Sequence, residues 1–259
     1  MKKGFFAAGI VCLLLCAFCV YKALPARPAP RPPLVEEATQ AVEERSAAPL
    51  EDIEESAAED GYRSPIDFAA LEDMNEDIYA WLYVPGTGIN HPILQSVRGD
   101  NDYYLNHSVD RQEDENGCLF TEYLYSDKEF EIPVTLIYGH RMRSGEMFGQ
   151  LQALYTEADA LEKYNEIIVY TPDRELHYQV FGASSYSDVH IPNHYRRFHE
   201  EGSVTAFMGD LKSYRTMTAQ FDPAVEINDD DRLVILSTCL IQNESQRFLV
   251  LAKLIQVIC

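Results

Sequence analysis

A mainly β fold, barrel or sandwich, is what this sequence predicts, and three features predict it. About eight short apolar runs have strand character, Pro, Gly and Asp turn chemistry separates them, and helical periodicity surfaces in few places. After "GYRSPIDFAALEDMNED" (61–77), which reads as a short amphipathic helix, comes the strand pattern "IYAWLYV" (78–84), closed by the turn "PGTG". "INHPILQ" (89–95), "GCLFTEY" (117–123), "VTLIYGH" (134–140), "EIIVYT" (166–171) and "LHYQVFGASSY" (176–186) follow. "RLVILSTC" (232–239) and "RFLVLAKLIQV" (247–257) form a closing hairpin. Helices are expected at "MFGQLQALY" (147–155) and "SVTAFMGDLKSYRTMT" (203–218). In the second, Val204, Phe207, Met208 and Leu211 recur at helical spacing, so it reads as an insertion packed on the β body.

The segment before residue 61 has a different composition. Lys2 and Lys3 precede an apolar run from Gly4 to Tyr21, which reaches Leu24 past Lys22 and is long enough to cross a bilayer as a helix. An uncleaved anchor over residues 1–24 is favoured over a cleaved signal peptide, because no small-x-small site follows the apolar core. Both readings put the remainder outside the cytoplasm. Residues 25–60 pass from "PARPAPRPP" into a Glu-rich, aromatic-free stretch and are expected to be a disordered tether. Residues 61–259 are expected to be one domain.

The chain carries 42 Asp and Glu against 21 Lys and Arg, a net charge of −21. Such acidity argues against nucleic-acid partners and against adsorption to anionic lipid. No Cys or His spacing matches a zinc site, and no glycine-rich phosphate loop is present. Of 6 cysteines, Cys12, Cys16 and Cys19 lie in the apolar run, which leaves Cys118, Cys239 and Cys259. An odd number in an extracellular domain points to a free thiol, and spacing does not say whether Cys118 and Cys259 pair.

Cys239 ends an apolar strand, where a thiol opens onto whatever lies above the sheet, although a buried structural Cys is the ordinary role for that residue. Of 7 histidines, His140 stands out, because it follows a strand and a glycine and precedes a loop. His177 reads as a packed strand residue, and His190, His194 and His199 as solvated loop residues in "DVHIPNHYRRFH". Arg247 is either a solvated cation at a strand start or, across an antiparallel hairpin, the residue opposite Cys239, where a guanidinium could donate to an oxyanion.

"LSTC" followed eight residues later by the Arg of "RFLVLAKL", with "IYGHRM", "MFGQL", "VPGTGINHPILQ" and "DNDYYLNH" upstream, resembles the sortases, specifically class B. The resemblance runs from about Trp81 to Leu254. It implies an eight-stranded β-barrel with an N-terminal helix and a helix inserted between strands 6 and 7. It also implies a membrane-anchored cysteine transpeptidase on a Gram-positive cell surface, with no cofactor and no metal. On this chain the nucleophile is then Cys239, the acid/base His140 and the oxyanion-side cation Arg247. Ser237 and Thr238 would line the cleft floor, and Asn101 and Leu105 would contact the sorting peptide. The chain departs from the family at Leu240 and Ile241, where relatives often carry an acidic or aromatic residue, and at Arg141, where Asn is common. These departures bear on peptide preference.

The implied reaction cleaves a Pro-x-Thr-type sorting motif on a surface protein and joins the product to a peptidoglycan-precursor or pilin amine. Two other readings stand beside it: a surface cysteine peptidase in which water resolves the acyl enzyme, and an inactive anchored barrel that binds partners.

Overall fold

Nine strands follow one another in the computed structural model, which describes residues 32–48, 51, 53–54, 56, 61–214, 216–240, 243 and 245–259. They are β1 (Ile78–Tyr83), β2 (Asn90–Leu94), β3 (Leu119–Phe120), β4 (Val134–Tyr138), β5 (Glu166–Tyr170), β6 (Glu175–Ser187), β7 (Gln220–Phe221), β8 (Leu233–Cys239) and β9 (Gln246–Ile258). The sheet order is β5-β1-β2-β3-β4-β8-β9-β6-β7, and β5 also pairs with β6. That extra pairing closes eight strands into a barrel and leaves the two-residue β7 as an appendage on β6. Closure satisfies the backbone edges that an open sheet would leave bare. Two neighbours are parallel, β2 with β3 and β4 with β8, and the rest are antiparallel.

Alternation sorts the strand residues into two faces. Leu82, Ile93, Ile137, Val169, Val180, Leu236 and Val250 meet inside the barrel. Their neighbours Leu136, Phe181, Ile235, Leu249 and Leu251 point outward, yet they are buried too, under Val204, Phe207, Met208 and Leu211 of a helix. Strands covered on both faces read as unbroken apolar runs. That is why "LVIL" and "FLVLA" show no polar alternation. The covering helix (Ser203–Ser213) sits between β6 and β8 as expected, and Asp229 caps its start by accepting from the N–H groups of Gly202, Val204 and Thr205.

A second outer face, around Ile78, Trp81, Leu94, Ile168 and Tyr170, is covered from the N-terminal side. Here the expected disordered tether is corrected. Pro33–Ser46 forms helix α1, with Pro33 at its first turn and Val35, Ala38, Thr39 and Val42 buried along one stripe. The apolar positions recur at i, i+3, i+4 and i+7, enough to dock a helix whose other faces are Glu-rich. Asn90 fixes the contact by donating to the Thr39 carbonyl at 3.1 Å and accepting from the Trp81 indole at 2.6 Å. Helix α2 (Phe68–Met74), capped by Asp67, packs beside it. The expected anchor, residues 1–24, lies outside the described residues, and among those described no helix is long and apolar enough to cross a membrane.

Other boundaries differ from the sequence reading. The strand expected over 117–123 pairs only at Leu119–Phe120, and the helix expected over 147–155 is confined to Leu151–Tyr155 (α3). Ala160–Lys163 (α4) follows it. "DVHIPNHYRRFH", read as a solvated loop, contains the short helix α5 (Ile191–His194), whose Ile191 and Pro192 are buried. The covering helix Ser203–Ser213 is α6.

A buried charge cluster ties α1 to the barrel at the start of β6. Arg45 of α1 pairs with Glu175 at 3.2 Å, and Glu175 is 1% exposed. His177, read as a packed strand residue, sits beside it with Nδ1 on Glu166 at 2.8 Å and Nε2 on Glu175 at 3.0 Å. Burial opposes a charge on His177, but hydrogen bonds and attraction to the two carboxylates outweigh it and raise its pKa to about 9.

Two outcomes follow from this packing. A fragment starting at Gly61 loses the α1 stripe and the partner of Glu175. It is expected to fold but to be less stable than one starting at Pro32 by on the order of 3 kcal/mol. Urea midpoints of the two fragments measure the difference, and equal midpoints would remove α1 from the fold. The His177 contribution is fully present below the unfolded-state pKa of about 6.5 and is lost as pH rises through about 9. Thermal midpoints of the wild type should therefore fall across that window relative to His177→Gln, whose curve should be flatter there.

Candidate active site

The β4–β8 ladder sets the geometry. Tyr138 stands opposite Ser237 in a parallel register, and the Gly139 N–H donates to the Ser237 carbonyl at 3.2 Å. Two residues further along each chain stand His140 and Cys239, and both border the same cleft. On the other side of β8, the antiparallel register sets Cys239 opposite Arg247. Tyr138, Ser237, Cys239 and Arg247 share the outward parity of Leu136, Ile235 and Leu249. Nucleophile, base and cation candidates thus meet on one outer face, at the ends of three adjacent strands.

Their neighbours form a cleft of about 470 Å³ floored by Phe120, Leu136, Tyr138 and Ser237. Asn101 and Leu105 form one wall, and Val189, His190 and Ile191 the other. All seven residues singled out in the sequence border this cleft: Cys239, His140, Arg247, Ser237, Thr238, Asn101 and Leu105. Ser237 and Thr238 are each 3% exposed, and the Thr238 hydroxyl has no hydrogen-bond partner among the described residues. By alternation Thr238 belongs to the inward parity of β8, beneath the floor. The Asn101 amide oxygen accepts from the Leu124 N–H at 3.1 Å, which pins that wall to the segment after β3.

Leu105 contributes its backbone more directly than its side chain. Its carbonyl lies 2.6 Å from His140 Nε2, and because a carbonyl only accepts, Nε2 carries a proton. In the neutral ring Nδ1 is then the nitrogen able to take up a proton. The turn that offers this carbonyl (Tyr103–Leu105) is braced from below. Tyr104 donates to Asp77 at 2.6 Å, Arg111 pairs with the same carboxylate at 3.4 Å, and Asn75 donates to the Val109 carbonyl at 2.7 Å.

His140 also owes its place to the residue before it. A Cβ on Gly139 would lie 2.4 Å from Leu119 and 2.6 Å from Phe148, both side chains of the barrel core. Only glycine lets β4 pass between them and emerge at His140.

Sequence reasoning missed the opposite wall. Glu122, just after β3, accepts from the Tyr138 hydroxyl at 2.9 Å and from His190 Nε2 at 2.9 Å. His190 was read as solvated, yet its ring also packs edge-on against Tyr125 at 4.7 Å. Neither residue stands in a motif that a single sequence could reveal, because the pair is separated by 68 positions.

The three cysteines outside the apolar run are all free thiols. Cys118 is no competitor for Cys239. Burial, with Asp114 and Asp110 nearby, pushes its thiol up to about 12. Among the described residues no group of His, Cys, Asp and Glu side chains is placed to hold a metal.

The model of the Sortase domain family matches residues 82–255. Sortase B of Listeria monocytogenes is 29% identical over 188 residues, covering 71% of this chain and 72% of the relative. Among solved structures, Staphylococcus aureus sortase B complexed with MTSET superposes with a TM-score of 0.65 at 25% identity, over 86% of this chain and 85% of that one. The Staphylococcus aureus sortase B–substrate complex gives a TM-score of 0.62 at 25% identity, over 84% and 98%.

The contrast between thiols has a direct readout. Iodoacetamide on the native protein at pH 7.5 should label Cys239 and the exposed Cys259, and should leave Cys118 unlabelled until the chain is unfolded. Peptide mapping by mass spectrometry after brief exposure reads this out. Labelling of Cys118 at the rate of Cys259 would contradict the burial.

Proposed function

From membership of the sortase family of cysteine transpeptidases, in its class B branch, we propose that this chain cuts a Pro-x-Thr-type sorting motif on surface proteins. It then joins the acyl fragment to a cell-wall or pilin amine. The observation that carries this reading is the meeting of Cys239, His140 and Arg247 on one face of one cleft.

In this reading the Cys239 thiol gives its proton to His140, the thiolate sulfur attacks the carbonyl carbon of the motif's Thr, and the carbonyl π electrons move to oxygen. Arg247, one β-bridge away, donates to that oxyanion through its planar fork. As the tetrahedral centre collapses, the C–N bond breaks and His140 gives a proton to the departing amine. A thioester to Cys239 remains. An incoming amine loses a proton to His140, attacks the thioester and releases the Cys239 thiolate. Asn101, Leu105 and Ser237 line the path of the peptide.

The apolar run of residues 4–24 serves in this proposal as a single-pass anchor that holds the domain on the outer side of a Gram-positive cell membrane. That location fits substrates that are themselves exported and tethered.

Cys239→Ala should abolish both peptide cleavage and acyl-enzyme formation, whereas Cys118→Ala should leave both within a few-fold. Arg247→Lys distinguishes a directed donor from a bare charge. It should fold and keep an alkylatable Cys239, yet lose about 100- to 1,000-fold in turnover, as loss of an oxyanion donor does. Product analysis of motif peptides with and without added amine follows both variants. Turnover by Cys239→Ala would end the mechanism, and Arg247→Lys within threefold of wild type would reassign the oxyanion to backbone N–H groups.

A further inference from the structure

We propose that Glu122 is a positioning residue for peptide binding, a carboxylate that clamps the floor and one wall of the cleft into a fixed relation. The inference rests on the transpeptidase reading and adds to it a residue that, among the described residues, hydrogen-bonds to neither Cys239 nor His140.

Glu122 begins a turn after β3, and its carbonyl accepts from the N–H groups of Tyr125 and Ser126, each at 3.0 Å, so its backbone is fixed. Its side chain is 13% exposed and faces the cleft. A carboxylate this covered needs donors, and it has them from two separate segments. Tyr138, at the end of β4, donates its hydroxyl at 2.9 Å. His190, at the start of α5, approaches both carboxylate oxygens at 2.9 Å through Nε2.

The direction of the second bond is set independently. His190 Nδ1 accepts from the Asn193 N–H at 3.2 Å, so in the neutral ring the proton is on Nε2, pointing at Glu122. Burial and the Glu122 charge keep the Tyr138 hydroxyl protonated well above the usual phenol range, with Arg247 pulling the other way, so Tyr138 remains a donor.

Three segments far apart in sequence therefore converge on one carboxylate: the turn after β3, the end of β4 and the start of α5. Tyr138 is the register partner of Ser237 and feels the charge of Arg247, so its ring lies on the floor beside the reacting groups. Beyond His190, Tyr125 packs on its ring and carries the Arg197 guanidinium 5.0 Å above its own. Without Glu122 the wall keeps only its outer support, and the floor tyrosine loses the acceptor that orients it. The width of the peptide channel, not the reactivity of the thiol, is what this clamp controls.

The test separates binding from chemistry. With a motif peptide turned over by the wild type, Glu122→Gln should raise KM about tenfold while kcat stays within threefold. Alkylation of Cys239 by iodoacetamide should stay within twofold. Tyr138→Phe, which removes one donor and keeps the ring, should show the same pattern more weakly. The double variant should be no worse than Glu122→Gln alone, because the Tyr138 bond is one of the two that the Glu122 carboxylate makes. An unchanged KM, a proportional loss in Cys239 alkylation, or additive effects would each overturn the clamp. Nitrogen-15 shifts of the His190 ring, read without any substrate, should show an Nε2-protonated tautomer in the wild type that loses its fixed hydrogen bond in Glu122→Gln. If the wild type processes no motif peptide, the substrate reading fails while this signature stands. If the signature is absent, the clamp fails while turnover survives.

Discussion

The parallel pairing of β4 with β8 is the constraint from which the site is built. In a barrel made mostly of antiparallel neighbours, this pair sends two chains the same way, so both end at the same rim. A residue two positions past the pairing on one strand then stands beside its counterpart on the other. An antiparallel partner for β8 on the far side, β9, brings a third chain back to the same place. His140, about a hundred residues before Cys239 and Arg247, joins them on one cleft without any long loop having to be ordered. The entropy of assembling them is met by the barrel core, not by the site.

That arrangement explains which parts were legible in the sequence. The strands around the site are apolar on both faces and bounded by turn residues, so "VTLIY", "LVIL" and "FLVLA" could be read directly, as could the residues at their ends. The family resemblance then supplied the roles proposed for Cys239, His140 and Arg247. Helix α1 was not legible. Its four buried positions are spread among glutamates, and composition outweighed a stripe that only becomes apolar surface once Trp81 and Leu94 lie beneath it. Glu122 and His190 were hidden for a related reason. Each is an ordinary polar residue after an ordinary element, and only closure of the barrel brings them together. β3 was over-read because an apolar run gives length but not the number of ladder bonds available to it.

Charge is handled in two ways. Most of the acidic excess lies on the surface, where it costs little and gives the protein a negative field. Among the described residues, buried charges have partners: Glu175 has Arg45 and His177 at the start of β6, Asp77 has Arg111 beneath the 103–105 turn, and Glu122 has His190 and Tyr138 near the end of β6. The long β6 strand thus runs between one cluster that holds a helix to the barrel and another that shapes the cleft.

Gly139 carries a consequence for how such a protein can diversify. A Cβ at this position would push into Leu119 and Phe148, so any substitution in the stem under His140 has to displace core side chains. The surrounding walls are under no such restriction, since the 101–105 turn and the start of α5 lie outside the barrel and are joined to it by side-chain bonds. Substitutions at the rim can therefore change what the cleft admits while the strand ends beneath it stay in place. Innovation in recognition is cheap here, and innovation in chemistry would require rebuilding the barrel from within.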